Sequence, residues 1–460
     1  MFVLLKIIKL INVFYILANN LYGVAQSMPL PISQFRWLKR KEFKKIDWQA
    51  QEVNQKTGYI VEVSLEYPEE LHKLHNSFPV AAEQLNITGD MLSPFSQDCK
   101  TILTDSNCDN YKSKKLTSTF NNRIRYVCHY TNLKLYLNLG LKIIKVHKCM
   151  GFHQSDYLKS YIDLCARKRK ESDGNFGKTL WKNFANCVFG KTIERIRDYL
   201  DCKLVTNEDN AKKWITSPRF TSMKIINENL VAIFCKRIEV TLNKPLFMGF
   251  TILEHSKRFM YETFYFEILP KIHSARVLFT DTDSLLLSCE SNKPQSNINK
   301  LKHMIDFSNY DKSHKKYSNK NANALGYWKD ELRGQKMSHF VGLRSKTHAF
   351  LIKDDDGKEH LHTKCKGVCK GYRKKITFGD YVKCVHSITD HHTVQYHIQS
   401  RNHQIRLSKV RKLCYSSFDD KRFMAPCNVH TLAFGSKYIK KSLRKYLFCP
   451  ECKWYGNPLS

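Results

Sequence analysis

The sequence has few acidic residues for its size and therefore carries a large excess of positive charge. Asp and Glu number 42 against 76 Lys and Arg, which gives a formal net charge of +34 at pH 7. This imbalance is too large for an ordinary solvated surface and indicates a polyanionic partner, of which nucleic acid is the first candidate. A cationic surface without a binding function is the alternative.

Regular cysteine spacing is also absent. The 16 cysteines follow no disulfide pattern, so we interpret them as reduced thiols of an intracellular protein. Cys449 and Cys452 form a single CxxC motif, and no matching motif completes a zinc site. A structural zinc ion is therefore not expected.

Long uninterrupted apolar runs are missing as well. The N-terminal stretch MFVLLKIIKLINVFYILANN resembles a signal peptide, but Lys6 and Lys9 interrupt it and no clean cleavage pattern follows. It is also shorter than the ~20 apolar residues that a membrane-spanning helix requires. We therefore expect a buried strand here, no membrane association, and an intracellular, nuclear location.

The chain does contain enough apolar sequence for two or three domains, since 42% of its 460 residues are hydrophobic. Residues 87–120 are polar, with Gly, Pro, Ser and Asn, and predict an irregular insertion. Periodicity predicts a strand over 58–67, a helix over 132–140, a strand over 142–152, two basic helices over 156–190 and a hairpin near 221–240.

The stretch FTDTDSLLLSCE, Phe279 to Glu290, places Asp281 and Asp283 at a tight turn between two apolar strands. Carboxylates in such surroundings are costly unless positive charge meets them. A pair of divalent metal ions would supply that charge, but two metals need carboxylates from more than one part of the chain. A simple β-turn with two aspartates is the structural alternative.

Three motifs in a fixed order identify a resemblance. YILANNLYG (15–23), KNFANCVFGK (182–191) and TDTDS (280–284) resemble motifs A, B and C of family B DNA polymerases. The similarity is closest to the protein-primed branch of viruses and Polinton-like mobile elements, and covers about residues 15–437. Further stretches that carry it are EYPEELHKLHNSFPVA, NLKLYLNLGLKIIKVHK, LNKPLFMGFTIL, FVGLRSK, KCKG and SFDDKR.

The resemblance implies an α+β right-hand fold and the activity of a DNA-directed DNA polymerase that replicates a virus or mobile element. Its implied partners are a DNA primer–template, deoxynucleotides and a terminal priming protein, and its implied cofactor is a pair of Mg²⁺ ions, with Mn²⁺ as a substitute. The expected parts are an N-terminal palm segment with motif A (1–155), fingers (156–200), palm with motif C (201–375) and a basic thumb (376–460).

The resemblance also implies roles for individual residues. Asp283 would be the main metal ligand of motif C and Asp281 a less direct one, so both are candidate catalytic residues. Lys182 would contact the nucleotide triphosphate, and Asn186 lies one helical turn further on the same face. The other nucleotide-binding candidates are Lys170, Lys178, Tyr22 and Phe189, where Tyr22 would stack on the sugar and exclude a ribose hydroxyl.

Primer and template contacts are expected from Lys346, His348, Lys364 and Lys366. Lys346 matches the lysine of the family's KxY element, whereas His348 stands where that element has tyrosine. For the lysines of 156–190, an ordinary solvated basic helix is the structural alternative.

One expected carboxylate is missing. Motif A of this branch has the pattern YLDANNLYG, and its aspartate position is Leu17 in this chain. Leucine has no atom that can bind a metal ion, and loss of one transition-state contact typically costs ~10²–10³ in rate. Either the chain is a decayed copy, or residues 1–17 do not belong to the native gene product.

Three functional hypotheses follow. The first is a DNA polymerase by descent, and the second is a catalytically inactive protein that still grips primer–template DNA. The third, a reverse transcriptase or metal nuclease, is disfavoured because reverse transcriptases usually carry adjacent paired aspartates. The resemblance begins only near Tyr15, and no counterpart of the family's N-terminal exonuclease domain precedes it, which predicts no proofreading.

Overall fold

A computed structural model describes residues 7–9, 13–106, 108–289, 294–354, 356–401 and 404–439. The CxxC motif of the sequence lies outside these ranges. The chain divides into two compact units, one of residues 1–160, 253–395 and 410–460 and the other of residues 161–252 and 396–409. Within the described residues, no helix has the length and apolar character needed to cross a membrane.

The fold is α+β. Its strands are β1 Ile7–Lys9, β2 Val13–Ala18, β3 Leu30–Trp37, β4 Thr57–Glu66, β5 Glu83–Thr88, β6 Lys112–Thr117, β7 Arg123–His129, β8 Lys142–Ser155, β9 Leu200–Val205, β10 Phe220–Asn227, β11 Leu230–Lys236, β12 Arg276–Thr280, β13 Ser284–Ser288, β14 Ile305–Asp306, β15 Trp328–Asp330, β16 Lys336–Arg344, β17 Thr347–Lys353, β18 Glu359–Lys364, β19 Asp390–Arg401, β20 Gln404–Ser416, β21 Phe423–Met424 and β22 Thr431–Leu432. Its α-helices are α1 Leu21–Gln26, α2 Arg40–Phe43, α3 His72–His75, α4 Pro94–Thr104, α5 Tyr130–Asn138, α6 Lys159–Glu171, α7 Asn175–Thr192, α8 Glu208–Ile215, α9 Leu246–Glu262, α10 Pro294–Lys300, α11 Lys370–Arg373 and α12 Phe378–His386, and a π-helical turn Thr263–Ile268 follows α9.

A five-stranded sheet in the first unit has the order β12-β13-β2-β15-β14. Side chains alternate across a strand, and on β2 this places Phe14, Ile16 and Ala18 in the main apolar core. Tyr15 and Leu17 therefore point to the opposite face, where both are half-buried. This alternation decides which residues of motif A meet the aspartate turn.

The main core also receives one face of a second sheet, which has the order β3-β8-β4-β7. Val61, Val63 and Leu65 of β4 are fully buried in this core, and burial of such aliphatic side chains contributes about 1.5–3 kcal/mol each. Phe264 of the π-helical turn and Trp328 of β15 fill the same core. The two sheets are thus fixed by one shared apolar interior.

A third sheet of the first unit has the order β1-β16-β17-β18. Val341 and Ala349 from this sheet pack with Tyr381 of α12 in a separate core. The second unit contains α6, α7 and a small sheet of order β10-β11-β9. There Ile233 is buried against Trp214 of α8, and the Asn207 side chain caps that helix.

The structure agrees with most elements predicted from periodicity, including α5, β8, the α6 and α7 pair, and the β10–β11 hairpin. The prediction of an irregular insertion over 87–120 is wrong. This segment includes the helix α4, which Ser93 caps and Pro94 begins, and the strand β6, which pairs with β5. Lysines on exposed positions of β6 masked its strand character in the sequence.

Candidate active site

The two aspartates of motif C lie at the tip of the acidic hairpin, by which we mean β12, the turn Asp281–Asp283 and β13. The Asp283 amide donates to the Asp281 carbonyl at 2.7 Å, and the Asp281 amide donates to the Ser284 carbonyl at 3.3 Å. Thr282 adopts a left-handed conformation with φ 63°. The strands on either side are buried, so the apolar sequence holds the polar turn in place.

The strand that carries Leu17 lies directly beside the acidic hairpin. In the antiparallel pairing of β2 with β13, Leu17 is opposite Ser284, and the Ala18 amide donates to the Asp283 carbonyl at 2.8 Å. Motifs A and C are therefore neighbours, as the resemblance requires. Leu17 thus lies on the strand beside the aspartate turn, at the position where the resemblance expects a carboxylate.

Two side chains beside this turn were missed in the sequence. Tyr15 shares the Leu17 face of β2, and its carbonyl accepts a 2.7 Å hydrogen bond from the Glu331 amide. Burial raises the pKa of the Tyr15 phenol, and the nearby Glu331 and aspartate charges raise it further. Burial also raises the pKa of Glu331, with a smaller contribution from Asp283. Only the pairing of β15 with β2 reveals this proximity, because Glu331 is distant in sequence.

Lys346 meets the acidic hairpin from a different sheet. It occupies the β16–β17 turn with φ 61°, and its Nζ lies 3.7 Å from Oδ1 of Asp281. The two side chains are 55% and 27% exposed, so solvent screens the pair and its energy is small. Lys346, predicted to contact primer and template, thus lies beside the acidic turn.

The donor set does not fit the expected pair of Mg²⁺ ions. Within the described ranges, no group of three or more His, Cys, Asp or Glu side chains is arranged so that it could hold a metal ion. On β2, Leu17 contributes hydrocarbon where the resemblance expects a carboxylate. Glu62 offers no replacement, because it lies on the other large sheet and pairs with Arg125 at 2.5 Å.

Tyr22, the candidate for stacking on the nucleotide sugar, lies on α1 immediately after motif A. Asn20 begins this helix in a left-handed conformation and accepts a hydrogen bond from the Gly23 amide. Burial raises the pKa of the Tyr22 phenol, and the charge of Asp283 raises it further. The short helix therefore brings Tyr22 to the acidic hairpin.

The primer and template candidates occupy different environments. His348 is buried between aromatic rings, with its ring centroid 4.6 Å from that of Phe279. Burial lowers its pKa to about 3, with a smaller effect from Lys364, and this location argues against direct contact with DNA. Lys364, paired with His348 across β17 and β18, and Lys366 are exposed and remain candidates.

The motif B candidates belong to the second unit. Lys178, Lys182, Asn186 and Phe189 follow one another at helical spacing on α7, so they form a single stripe, which we call the α7 stripe. Its two lysines are exposed, as is Lys170 on α6. The stripe can therefore meet a polyphosphate with two cations and an aromatic ring.

Comparison with known proteins supports the fold. Three structures of Phi29 DNA polymerase, a protein-primed family B enzyme, match this chain. The complex with primer-template DNA has 15% identity and TM-score 0.50, and covers 88% of this chain and 58% of its own. The orthorhombic crystal form has 15% identity and TM-score 0.53, with coverage of 90% and 60%. The ternary complex with primer-template DNA and incoming nucleotides has 14% identity and TM-score 0.50, with coverage of 89% and 58%.

At this level of identity the likeness establishes a DNA polymerase-like fold alone. The chain spans about three-fifths of the length of these neighbours, with coverage of 58% to 60%. No protein-family model matches the chain, and no curated protein does.

Proposed function

We propose that this chain descends from a DNA-directed DNA polymerase, that it binds primer–template DNA and deoxynucleotides, and that it transfers nucleotides poorly or not at all. The observation that carries this proposal is the position of Leu17, opposite Ser284 and beside the aspartate turn. The chain has a polymerase-like fold and an acidic hairpin. On the neighbouring strand β2, however, it has Leu17 in place of the carboxylate that the resemblance implies.

We infer the loss of nucleotidyl transfer from the charge of the metal ions that the reaction needs. Nucleotidyl transfer by the two-metal mechanism requires carboxylates that neutralise two adjacent divalent ions. A leucine side chain cannot do this, and removal of one preorganised contact typically reduces the rate by ~10²–10³.

Binding is supported by features that do not depend on Leu17. The net charge of +34 favours a polyanion, and affinity for DNA should fall steeply with salt. The α7 stripe presents lysines and an aromatic ring to a nucleotide. Two of the structural neighbours are complexes with primer-template DNA, and one of these also holds incoming nucleotides.

Primer extension tests the proposal. A recessed DNA primer–template, Mg²⁺ and deoxynucleotides are supplied to the parent protein, to Leu17→Asp and to Leu17→Asn, which restores polarity without charge. We expect extension by Leu17→Asp at least ~10² faster than by the other two, with similar primer–template affinity for all three proteins. Rapid extension by the parent, or no primer–template binding, would overturn the proposal.

Finer parts of the proposal have the sequence resemblance as their support. We assign the palm to the five-stranded sheet, the fingers to α6 and α7, and the thumb to residues 376–460. A terminal priming protein, replication of a virus or mobile element, and a nuclear location complete the proposed context.

A further inference from the structure

The sheet β3-β8-β4-β7 buries one face and leaves much of the other open. On β4, Val61, Val63 and Leu65 enter the core, so Glu62 and Ser64 point the opposite way. The pairing register places Lys148 opposite Glu62 and Lys145 opposite Ser64. We call this side the outer face, and define it by Trp37, Ile60, Glu62, Ser64, Val127, Lys145, His147, Lys148 and Met150.

An exposed tryptophan dominates one edge of the outer face. Trp37 at the end of β3 is 66% exposed, although tryptophan is usually well buried. Its strand partner is Met150 of β8, and Nζ of Lys148 lies 6.0 Å from the centroid of its ring. An exposed aromatic ring with a cation over it therefore faces solvent.

The rest of the outer face combines apolar and basic groups. Val127 is 48% exposed, and Lys145 and Lys148 are both exposed. Glu62 contributes a negative charge to this face, and Arg125 forms an ion pair with it at 2.5 Å. His147 is bound to the Ser64 hydroxyl at 2.7 Å. The two lysines therefore give the face a positive balance.

We propose that the outer face binds single-stranded DNA, with a base stacked on Trp37 and phosphates held by Lys148 and Lys145. Base stacking on an aromatic side chain and a basic groove beside it are the two elements of sequence-independent single-strand binding. Lysines at the centre of the face disfavour a protein occupant, since protein interfaces are depleted of lysine there. The inference rests on the proposed function, because a primer–template carries a single-stranded overhang.

The dimensions of the sheet suit such a ligand. Trp37 on β3 and Val127 on β7 lie on the two edge strands of this four-stranded sheet. Three strand spacings separate these edges, which gives about 14 Å. A run of about four bases at the ~3.4 Å rise per base of a DNA strand would cover this width.

The test measures binding of fluorescein-labelled oligothymidylate, about 20 nucleotides long, by anisotropy at several salt concentrations. A blunt duplex and a recessed primer–template are measured in parallel. The variants are Trp37→Ala, Trp37→Phe and Lys148→Ala. Phe266→Ala serves as the matched control, because Phe266 is a 44% exposed aromatic residue elsewhere in the same unit.

We expect Trp37→Ala to weaken oligothymidylate binding about fivefold or more, as stacking on one aromatic ring predicts. Trp37→Phe should retain most of the affinity, and Phe266→Ala all of it. Blunt duplex binding should stay within about twofold, since paired bases cannot stack on a side chain. Lys148→Ala should lower the slope of log affinity against log salt by about 0.7.

Unchanged oligothymidylate binding in Trp37→Ala, or an equal loss on blunt duplex, would overturn this inference and leave the face for a protein partner. Failure of the parent protein to bind oligothymidylate would overturn it as well. Primer–template binding by the parent tests the proposed function in a separate measurement, so failure of the inference and failure of the proposed function are distinguishable. Circular dichroism of each variant verifies folding, which substitution of an exposed side chain should not affect.

Discussion

The acidic hairpin and the α7 stripe differ in how closely their residues match the pattern that the resemblance implies. The stripe has Lys178, Lys182 and Asn186 at the expected spacing on one helix, whereas the strand beside the acidic hairpin has Leu17 in place of aspartate. Cations on an exposed helix can meet a phosphate in many geometries. Carboxylates that share metal ions must converge from separate strands, so a single substitution removes their joint function.

The largest expected effect tests the acidic side of this comparison. In the Leu17→Asp background, Asp283→Ala should abolish the recovered primer extension, a loss of at least ~10² in rate. The physical reason is that two carboxylates from different strands must act together. Extension that persists in the double variant would show that the recovered activity does not use the acidic hairpin.

A smaller effect tests the basic side. Lys182→Ala should weaken binding of a fluorescent deoxynucleoside triphosphate about tenfold or more, since a hydrogen bond to a charged group contributes about 1.5–3 kcal/mol. Lys212→Ala is the matched control, because Lys212 lies on α8 of the same unit and pairs with Glu208 at 2.9 Å. Equal losses of nucleotide affinity in both variants would show that the α7 stripe acts only through the overall positive charge of the protein.

The last prediction concerns the folding stability of the region that supports the acidic hairpin. Burial lowers the pKa of His348 to about 3, below the ~6.5 of an unfolded chain. Between these values the unfolded state binds the proton more readily, so stability is lost as pH falls from about 6.5 towards 3. Between pH 7 and pH 5 this histidine should cost about 2 kcal/mol of unfolding free energy.

Urea titrations at pH 7 and pH 5 measure this loss. His348→Phe should shrink the difference between the two pH values by about 2 kcal/mol, and any cost of the larger ring cancels in that difference. His273→Phe, at an exposed position, should leave it unchanged. An unaltered difference in His348→Phe would mean that His348 is not held neutral in the folded protein.

Local pattern was sufficient for many elements and insufficient for others. Helix α5 and strand β8 were predictable because apolar spacing and a terminal glycine at 140 mark them. Strand β6 was not predictable, because its lysine-rich sequence is typical of a loop and only its pairing with β5 shows that it is a strand. Pairing supplies hydrogen bonds that no property of the single segment reports.

The candidate site shows the same division. The aspartate turn, Tyr22 and Leu17 could be singled out from the sequence, since each belongs to a contiguous motif. The contact of Lys346 with Asp281 and the proximity of Glu331 to Tyr15 arise between strands far apart in sequence. The sequence predicted that His348 contacts DNA. In the structure His348 is buried among aromatic rings, which its position in the sequence does not indicate.

By itself the sequence determined the charge of the protein, the order of its motifs and the presence of leucine at position 17, because these are properties of residue identity and spacing. Only the tertiary structure decided that Leu17 lies opposite Ser284 and that Trp37 and Lys148 share an open face. Strand register fixes which side chains share a face, and a shift of one residue would reverse it.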